Sequence, residues 1–252
     1  MGTLRNLARN SLRPSYLPVM VEKLGRRLWG SRRGEARLAR AWAEERAERW
    51  GDFAREQNEA LWREAESWAR GAEVEARKTL ADLNVALGGA GAFPLLYFLV
   101  RWRRPRVVVE TGVAAGYSSL AVLSSLRANG FGKLYSSDFP YFRLKDPEQY
   151  VGCLVPDELR SGWELRLEGD RRSLPEIVGL VDRVDLFHYD SDKSRAGRRF
   201  ALATVASRLG EDSVVVMDDI NDNLFFRDYV EAASKRFRVF EFNRKYVGVI
   251  GL

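Results

Sequence analysis

Two spacings of apolar residues divide the chain. Between about residues 32 and 87, apolar side chains recur roughly every 3.6 positions, at Leu38, Trp42, Trp50, Phe53, Leu61, Ala65 and Trp68, in a background rich in Ala, Glu and Arg. That spacing gathers them on one stripe of a helix and predicts helices, with a break near Gly51. Trp42, Trp50, Trp62 and Trp68 all fall in this stretch. Burial preferences assign such aromatics to a core or a subunit interface ahead of a ligand-binding face.

Past residue 90 the pattern changes. Gly88, Gly89 and Gly91 mark a hinge. A short helix over 94–102 leads into apolar runs at 106–110, 133–137, 163–167, 184–189 and 213–217, separated by helical stretches at 117–128, 173–180, 195–209 and 223–236. Alternating strands and helices predict an α/β fold with a mostly parallel sheet and crossover helices. Two last strands, 238–242 and 246–251, flank a turn at Asn243-Arg244-Lys245 and predict a C-terminal antiparallel hairpin. The chain is thus read as a basic arm and helical extension over 1–90 and a sheet domain over 91–252. The connection 139–162, with Pro140, Tyr141, Phe142, Tyr150 and Pro156, is longer than a compact domain needs and is expected to form part of a substrate lid.

Charge sharpens this division. The net charge is +6, yet residues 1–34 hold eight basic side chains against one acid, Glu22, while the remainder holds 33 against 34. A near-neutral body argues against a broad nucleic-acid face. Within the arm, Leu17, Val21, Leu24 and Leu28 lie at helical spacing among Lys23, Arg26 and Arg27. Residues 1–30 therefore suit an anionic membrane surface, a partner chain, or packing on their own domain. The helical extension is a candidate surface for homo-oligomers.

The longest apolar run, 92–100, is too short to span a bilayer, and the Arg-studded start lacks the apolar centre of a signal peptide. The single cysteine, Cys153, excludes an internal disulfide and a cysteine-based zinc site, so a cytoplasmic location is expected. With His188 the lone histidine, any metal would be held mainly by oxygen.

Chemistry concentrates where strands end. The run 107–109 is apolar, closes on Glu110 and enters a turn containing Gly112 and Gly116 before the helix that starts near Ser118. Glycines let a backbone bend sharply and approach a ligand closely. An open α/β sheet builds a nucleoside pocket at such a turn. The dinucleotide fingerprint needs a third glycine that is not here. Asp138 follows the second strand, Asp170 the third, Asp190 the fourth, and Asp218-Asp219 the fifth. Adjacent parallel strands would bring Asp190, Asp218 and Asp219 together, and clustered carboxylates call for a compensating cation. A divalent metal such as magnesium, held by oxygen ligands, is the economical expectation.

The Glu110-x-Gly112-x-x-x-Gly116 pattern resembles the first motif of the Rossmann-like, class I S-adenosylmethionine-dependent methyltransferases. The resemblance implies a seven-stranded, mostly parallel sheet with a C-terminal antiparallel hairpin. It also implies S-adenosylmethionine as methyl donor, with Glu110, Gly112, Gly116, Ser118, Asp138 and Asp170 as the binding set. Over residues 90–252 the chain is similar to the metal-dependent O-methyltransferases, both the catechol type and the natural-product sugar type. There Asp190, Asp218 and Asp219 match the magnesium positions. Lys193 stands where sugar-modifying relatives carry a histidine, but Asp190-Ser-Asp-Lys193 reproduces the catechol-type arrangement in which lysine is the base. Lys193 or Asp192 is then expected to deprotonate a hydroxyl of a small-molecule acceptor. Two readings compete. One is an NAD- or nucleotide-sugar-dependent oxidoreductase; the other is a non-catalytic nucleotide-binding protein docking through the basic arm.

Overall fold

The computed structural model describes residues 6, 7, 9, 10, 13, 16, 33–85 and 87–252. Most of the basic arm, and with it the apolar stripe from Leu17 to Leu28, lies outside the described residues. Helices α1 (Arg33–Arg46), α2 (Trp50–Gln57) and α3 (Glu59–Asp82) come first, with a two-residue strand β1 (Ala47–Glu48) between α1 and α2. Helix α4 (Phe93–Arg103) precedes the alternating part: β2 (Val107–Thr111), α5 (Tyr117–Asn129), β3 (Lys133–Ser137), β4 (Trp163–Arg166), α6 (Asp170–Gly179), β5 (Val184–Tyr189), α7 (Arg195–Val205) and β6 (Leu209–Met217). Helix α8 (Phe225–Ala232) and the hairpin β7 (Phe237–Phe242) and β8 (Lys245–Ile250) complete the chain.

These strands form one sheet in the order β1-β7-β8-β6-β5-β2-β3-β4. Strands β2 to β6 pair in parallel, and β8 runs antiparallel to both β6 and β7. Seven of the eight are the expected sheet. The eighth is β1, which pairs in parallel with β7 through Ala47↔Val239 and Glu48↔Phe240. Two residues are too few to show a period-2 pattern, so no sequence signal marks it.

Side chains alternate across the sheet and sort the core into two layers. Val108, Leu186, Val214 and Val216 face α2, α3, α4 and α5, where they meet Phe53, Ala65, Leu96 and Val122. Val109, Phe187, Val215 and Met217 face α1, α6, α7 and α8, meeting Ala43, Leu174, Leu202 and Phe226. The tryptophan stripe is spent on this packing. Trp42 stacks on Phe237 with centroids 5.5 Å apart, Trp68 on Tyr97 at 4.3 Å, and Trp50 on Phe242 at 6.3 Å.

Several boundaries differ from the periodicity. The helical extension breaks at 47–49 and again at Asn58, whose side chain accepts from Leu61 N and caps α3. Helix α6 starts at Asp170, three residues before the expected 173. Strand β6 starts at Leu209, inside the expected helix 195–209, because Leu209 pairs with Val184 across a register shift. The hairpin turn is the pair Asn243-Arg244, both at positive φ (51° and 64°), and Lys245 belongs to β8.

The described residues of the arm pack on the connection after β3. Asn10 Nδ2 donates to the carbonyls of Phe142 (2.8 Å) and Leu144 (3.1 Å), Tyr16 and Arg13 both bond Glu148, and Tyr16 packs on Phe139. No helix among the described residues is long and apolar enough to cross a membrane.

Candidate active site

Strand order reverses between β2 and β5: from β2 the chain moves out to β3 and β4, then returns to β5 on the other side. Crossover connections diverge at such a point and leave a crevice beyond the carboxyl ends of the strands. A cavity of about 1640 Å³ opens there. Gly112, Ser118, Asp138, Asp170, Asp190, Asp192, Lys193, Asp218 and Asp219 all line it; Glu110 and Gly116 do not.

The β2–α5 turn forms one wall. Gly112 (φ 84°) and Gly116 (φ 101°) take left-handed conformations open to glycine. A β-carbon on Gly116 would stand 2.9 Å from Gly152 Cα, so this glycine admits the connection after β3, which is further tied down by Gly152 N→Ala114 O and Leu154 N→Ala115 O. The Asp138 carboxylate accepts from the turn's Val113 N (3.1 Å) and Ala114 N (2.7 Å) and from Phe139 N (2.6 Å). Asp170, at the start of α6, accepts from the hydroxyls of Ser137 and Ser191 and so joins the ends of β3 and β5.

Glu110 sits beneath the turn, fully buried. Its carboxylate accepts from Ser119 Oγ (2.5 Å) and Ser136 Oγ (2.8 Å) and faces His188 Nδ1 at 3.4 Å. Burial alone would raise its pKa. Hydrogen bonds from His188, Ser118 and Ser119, with the attraction of His188, outweigh burial and hold it below the ordinary carboxylate value. The expected ligand-binding acid is in this structure the polar core of the turn.

The acidic wall holds its own cations. Lys193 Nζ bonds Asp190 Oδ1 and lies 3.3 Å from Asp219 Oδ2, while Lys245 Nζ reaches Asp219 Oδ1 at 3.0 Å. Burial pushes the Lys193 ammonium below its ordinary pKa against the pull of Asp219 and Asp218. Burial likewise raises Asp219, but Lys193 and Lys245 outweigh it and hold this carboxyl low. Among the described residues no three His, Cys, Asp or Glu side chains are grouped to hold a metal ion. As arranged, Asp190, Asp218 and Asp219 do not fit a divalent cation. A cation bridging Asp190 and Asp219 would require the Lys193 ammonium to leave its place between them.

Asp192 lines the cavity beside them. Its carboxylate accepts from Ser194 N (3.0 Å) and Ser194 Oγ (2.9 Å) and lies against Gly197, where any β-carbon would overlap it. It is tied to the start of α7.

Two charged residues at this wall escaped the sequence reading. The sequence places Lys245 only in the hairpin turn, and no local pattern joins it to Asp219. Arg198 is fully buried on α7, and its Nη2 donates to the carbonyls of Asp218 (3.1 Å) and Asp219 (2.6 Å). A signal for it existed: 198, 201, 202 and 205 share one helical face, and the other three are Ala, Leu and Val.

A parallel sheet closed by an antiparallel β7–β8 edge, with a glycine turn after β2 and acids at successive strand ends, defines the Rossmann-like fold of the S-adenosylmethionine-dependent methyltransferases. Residues 109–220 match the family model described as a methyltransferase domain. Among solved structures, a methyltransferase from Geobacter sulfurreducens aligns with a TM-score of 0.52 at 17% identity, covering 72% of this chain and 90% of its own. The O-methyltransferase TomG from Streptomyces achromogenes, involved in tomaymycin synthesis and solved with its methyl donor, gives 0.53 at 15% identity over 71% and 89%. An O-methyltransferase from Bacillus cereus in complex with S-adenosylhomocysteine gives 0.51 at 15% identity over 72% and 91%. Likenesses at this identity show the fold. No curated protein matches the sequence.

Proposed function

We propose that the chain transfers the methyl group of S-adenosylmethionine to a hydroxyl of a small molecule. The observation that carries this reading is the convergence of two walls on one cavity: the glycine turn with Asp138 and Asp170 on one side, and Lys193 among Asp190 and Asp219 on the other. S-adenosylmethionine supplies an electrophilic methyl carbon on a sulfonium. The backbone of 112–114 and the side chains of Asp138, Asp170 and Ser118 would hold it, Asp138 exchanging its bonds to the turn for bonds to the ribose hydroxyls. Lys193 Nζ accepts the acceptor hydroxyl proton, the hydroxyl oxygen forms a bond to the methyl carbon, and the carbon–sulfur bond breaks to release S-adenosylhomocysteine. Lys193 must be neutral to do this, and burial favours the neutral form. Alignment of oxygen, carbon and sulfur supplies much of the remaining acceleration.

No step in this scheme passes through a divalent cation, because the carboxylates in this arrangement do not fit one. The notion of a sugar or other natural-product acceptor rests on the sequence resemblance, with support from the size of the cavity.

Calorimetric titration with S-adenosylmethionine and with NAD, followed by a screen of hydroxylated metabolites with labelled methyl donor, tests the proposal. Binding of S-adenosylmethionine and label in an ether product are expected. Binding of NAD with no binding of S-adenosylmethionine would overturn the reading in favour of an oxidoreductase.

A further inference from the structure

Helix α7 carries an anomaly. Its inward face packs Ala201, Leu202 and Val205 against Phe187 and Val215 of the sheet, an apolar layer that asks for an aliphatic residue one turn earlier. The residue there is Arg198, with none of its surface exposed. A guanidinium taken out of water is costly unless paired, and leucine or methionine would fill the layer without that cost. Two of its nitrogens, Nε and Nη1, have no hydrogen-bond partner among the described residues. The third, Nη2, is committed to the carbonyls of Asp218 and Asp219.

Those carbonyls belong to the corner that needs holding. Asp219 has φ 50°, a left-handed conformation that non-glycine residues seldom adopt. The corner leaves β6 and turns its carboxylate to Lys193 and Lys245 in the cavity. Asp219 is therefore gripped from two sides: its carbonyl from the core by Arg198, and its carboxylate from the cavity by two lysines. The guanidinium also places a permanent positive charge behind the acidic wall. Asp222, Asp219 and Asp192 are the acids whose attraction opposes the effect of burial on it.

We propose that Arg198 is a positioning residue for methyl transfer: by bonding the Asp218 and Asp219 carbonyls from the core, it sets where the Asp219 carboxylate stands and thereby where Lys193 Nζ meets the acceptor. This inference rests on the methyl-transfer reading above. Arginine suits the role because its Nη2 carries two N–H donors, one for each carbonyl, and the guanidinium keeps its charge under burial.

The test uses the full chain with Arg198→Met, which fills the same space without charge or donors, and Arg198→Lys, which keeps the charge on a shorter side chain without the planar guanidinium. Backbone amide exchange, S-adenosylmethionine affinity and single-turnover methyl transfer are measured on each. For Arg198→Met, exchange at 219–222 should rise about tenfold or more while 112–118 stay protected. Donor affinity should stay within about threefold, and the transfer rate should fall about a hundredfold with little change in acceptor KM, the size of effect that displacement of a catalytic group produces. Arg198→Lys should lie between wild type and Arg198→Met in both exchange and rate.

A transfer rate within about threefold of wild type overturns the proposal, as does unchanged exchange at 219–222. Parallel loss of melting temperature, donor binding and rate would make Arg198 a scaffold residue and also overturn it. Should Arg198→Met fail to fold, the same criteria apply to Arg198→Lys. Absence of methyl transfer by the wild type would overturn the functional reading. The exchange data would then still decide whether Arg198 holds the corner.

Discussion

The α-carbon of Gly112 packs directly against the backbone carbonyl of Asp190: a β-carbon there would stand 2.5 Å from the carbonyl oxygen and 2.6 Å from its carbon. The contact joins the ends of two adjacent strands, since Thr111 pairs with Tyr189 and Asp190 N donates to Thr111 O. The donor wall and the acidic wall are thus in register through one bare backbone. Gly112→Ala adds both this clash and a disfavoured φ, so it should cost more than about 1 kcal/mol of stability. Donor affinity should weaken about tenfold or more, because the turn proposed to hold the donor has to move. Chemical denaturation and calorimetry of the variant measure the two effects.

Lys193→Met removes the proposed base and one of the two lysines beside the Asp219 carboxylate. Loss of a general base lowers turnover by about 10²- to 10⁴-fold. Donor affinity should change little, because Lys193 belongs to the acidic wall. Rapid-quench methyl transfer and calorimetry separate the two quantities, and retained turnover would remove Lys193 from the mechanism.

The buried Glu110 gives a stability prediction with a definite sign. Its folded pKa lies below the ordinary value of 4.5, so its contribution is fully present above about that pH. It is lost as the pH falls through the lower folded value and the carboxylate protonates. Glu110→Gln should destabilise the protein by about 2 kcal/mol at neutral pH, because buried donors lose a charged acceptor. That gap should narrow below pH 4.5. Melting curves of both proteins from neutral to acidic pH provide the check; a constant gap would contradict a lowered carboxyl.

Asn10 ties the arm to the expected lid. It is almost fully buried and donates to the carbonyls of Phe142 and Leu144, beside the cavity-lining Tyr141, Phe142 and Arg143. Asn10→Ala leaves those carbonyls without their donor, at a local cost of about 1 kcal/mol. Amide exchange across 139–148 should speed up, and donor dissociation should quicken, in stopped-flow measurements against wild type. Unchanged exchange would show that the connection holds its shape without the arm.

Much of this architecture could be read in one dimension. The short apolar runs between helical stretches mark the strands, and Gly112 is legible because a tight turn after a strand has few chemical solutions. The acids Asp138, Asp170, Asp190, Asp218 and Asp219 were each found at the end of a strand, and the sheet brings all five to one cavity. What could not be read was the destination of each carboxylate. Glu110 turns inward to Ser119, Ser136 and His188, and Asp192 turns to Ser194. Neither direction is encoded in the residue type.

Local order, the glycine turn and the placement of acids at strand ends are properties the sequence determined by itself, because backbone sterics and apolar periodicity act within a few residues. The charge balance of the site was decided by the tertiary structure. Lys245 comes from the C-terminal hairpin, Lys193 from the end of β5 and Arg198 from the buried face of α7, and all three meet at Asp219. The attraction among these groups depends on distance in space, and distance along the chain does not reveal it. The clustered acids, which in sequence called for a metal, stand in the folded protein among cations of its own.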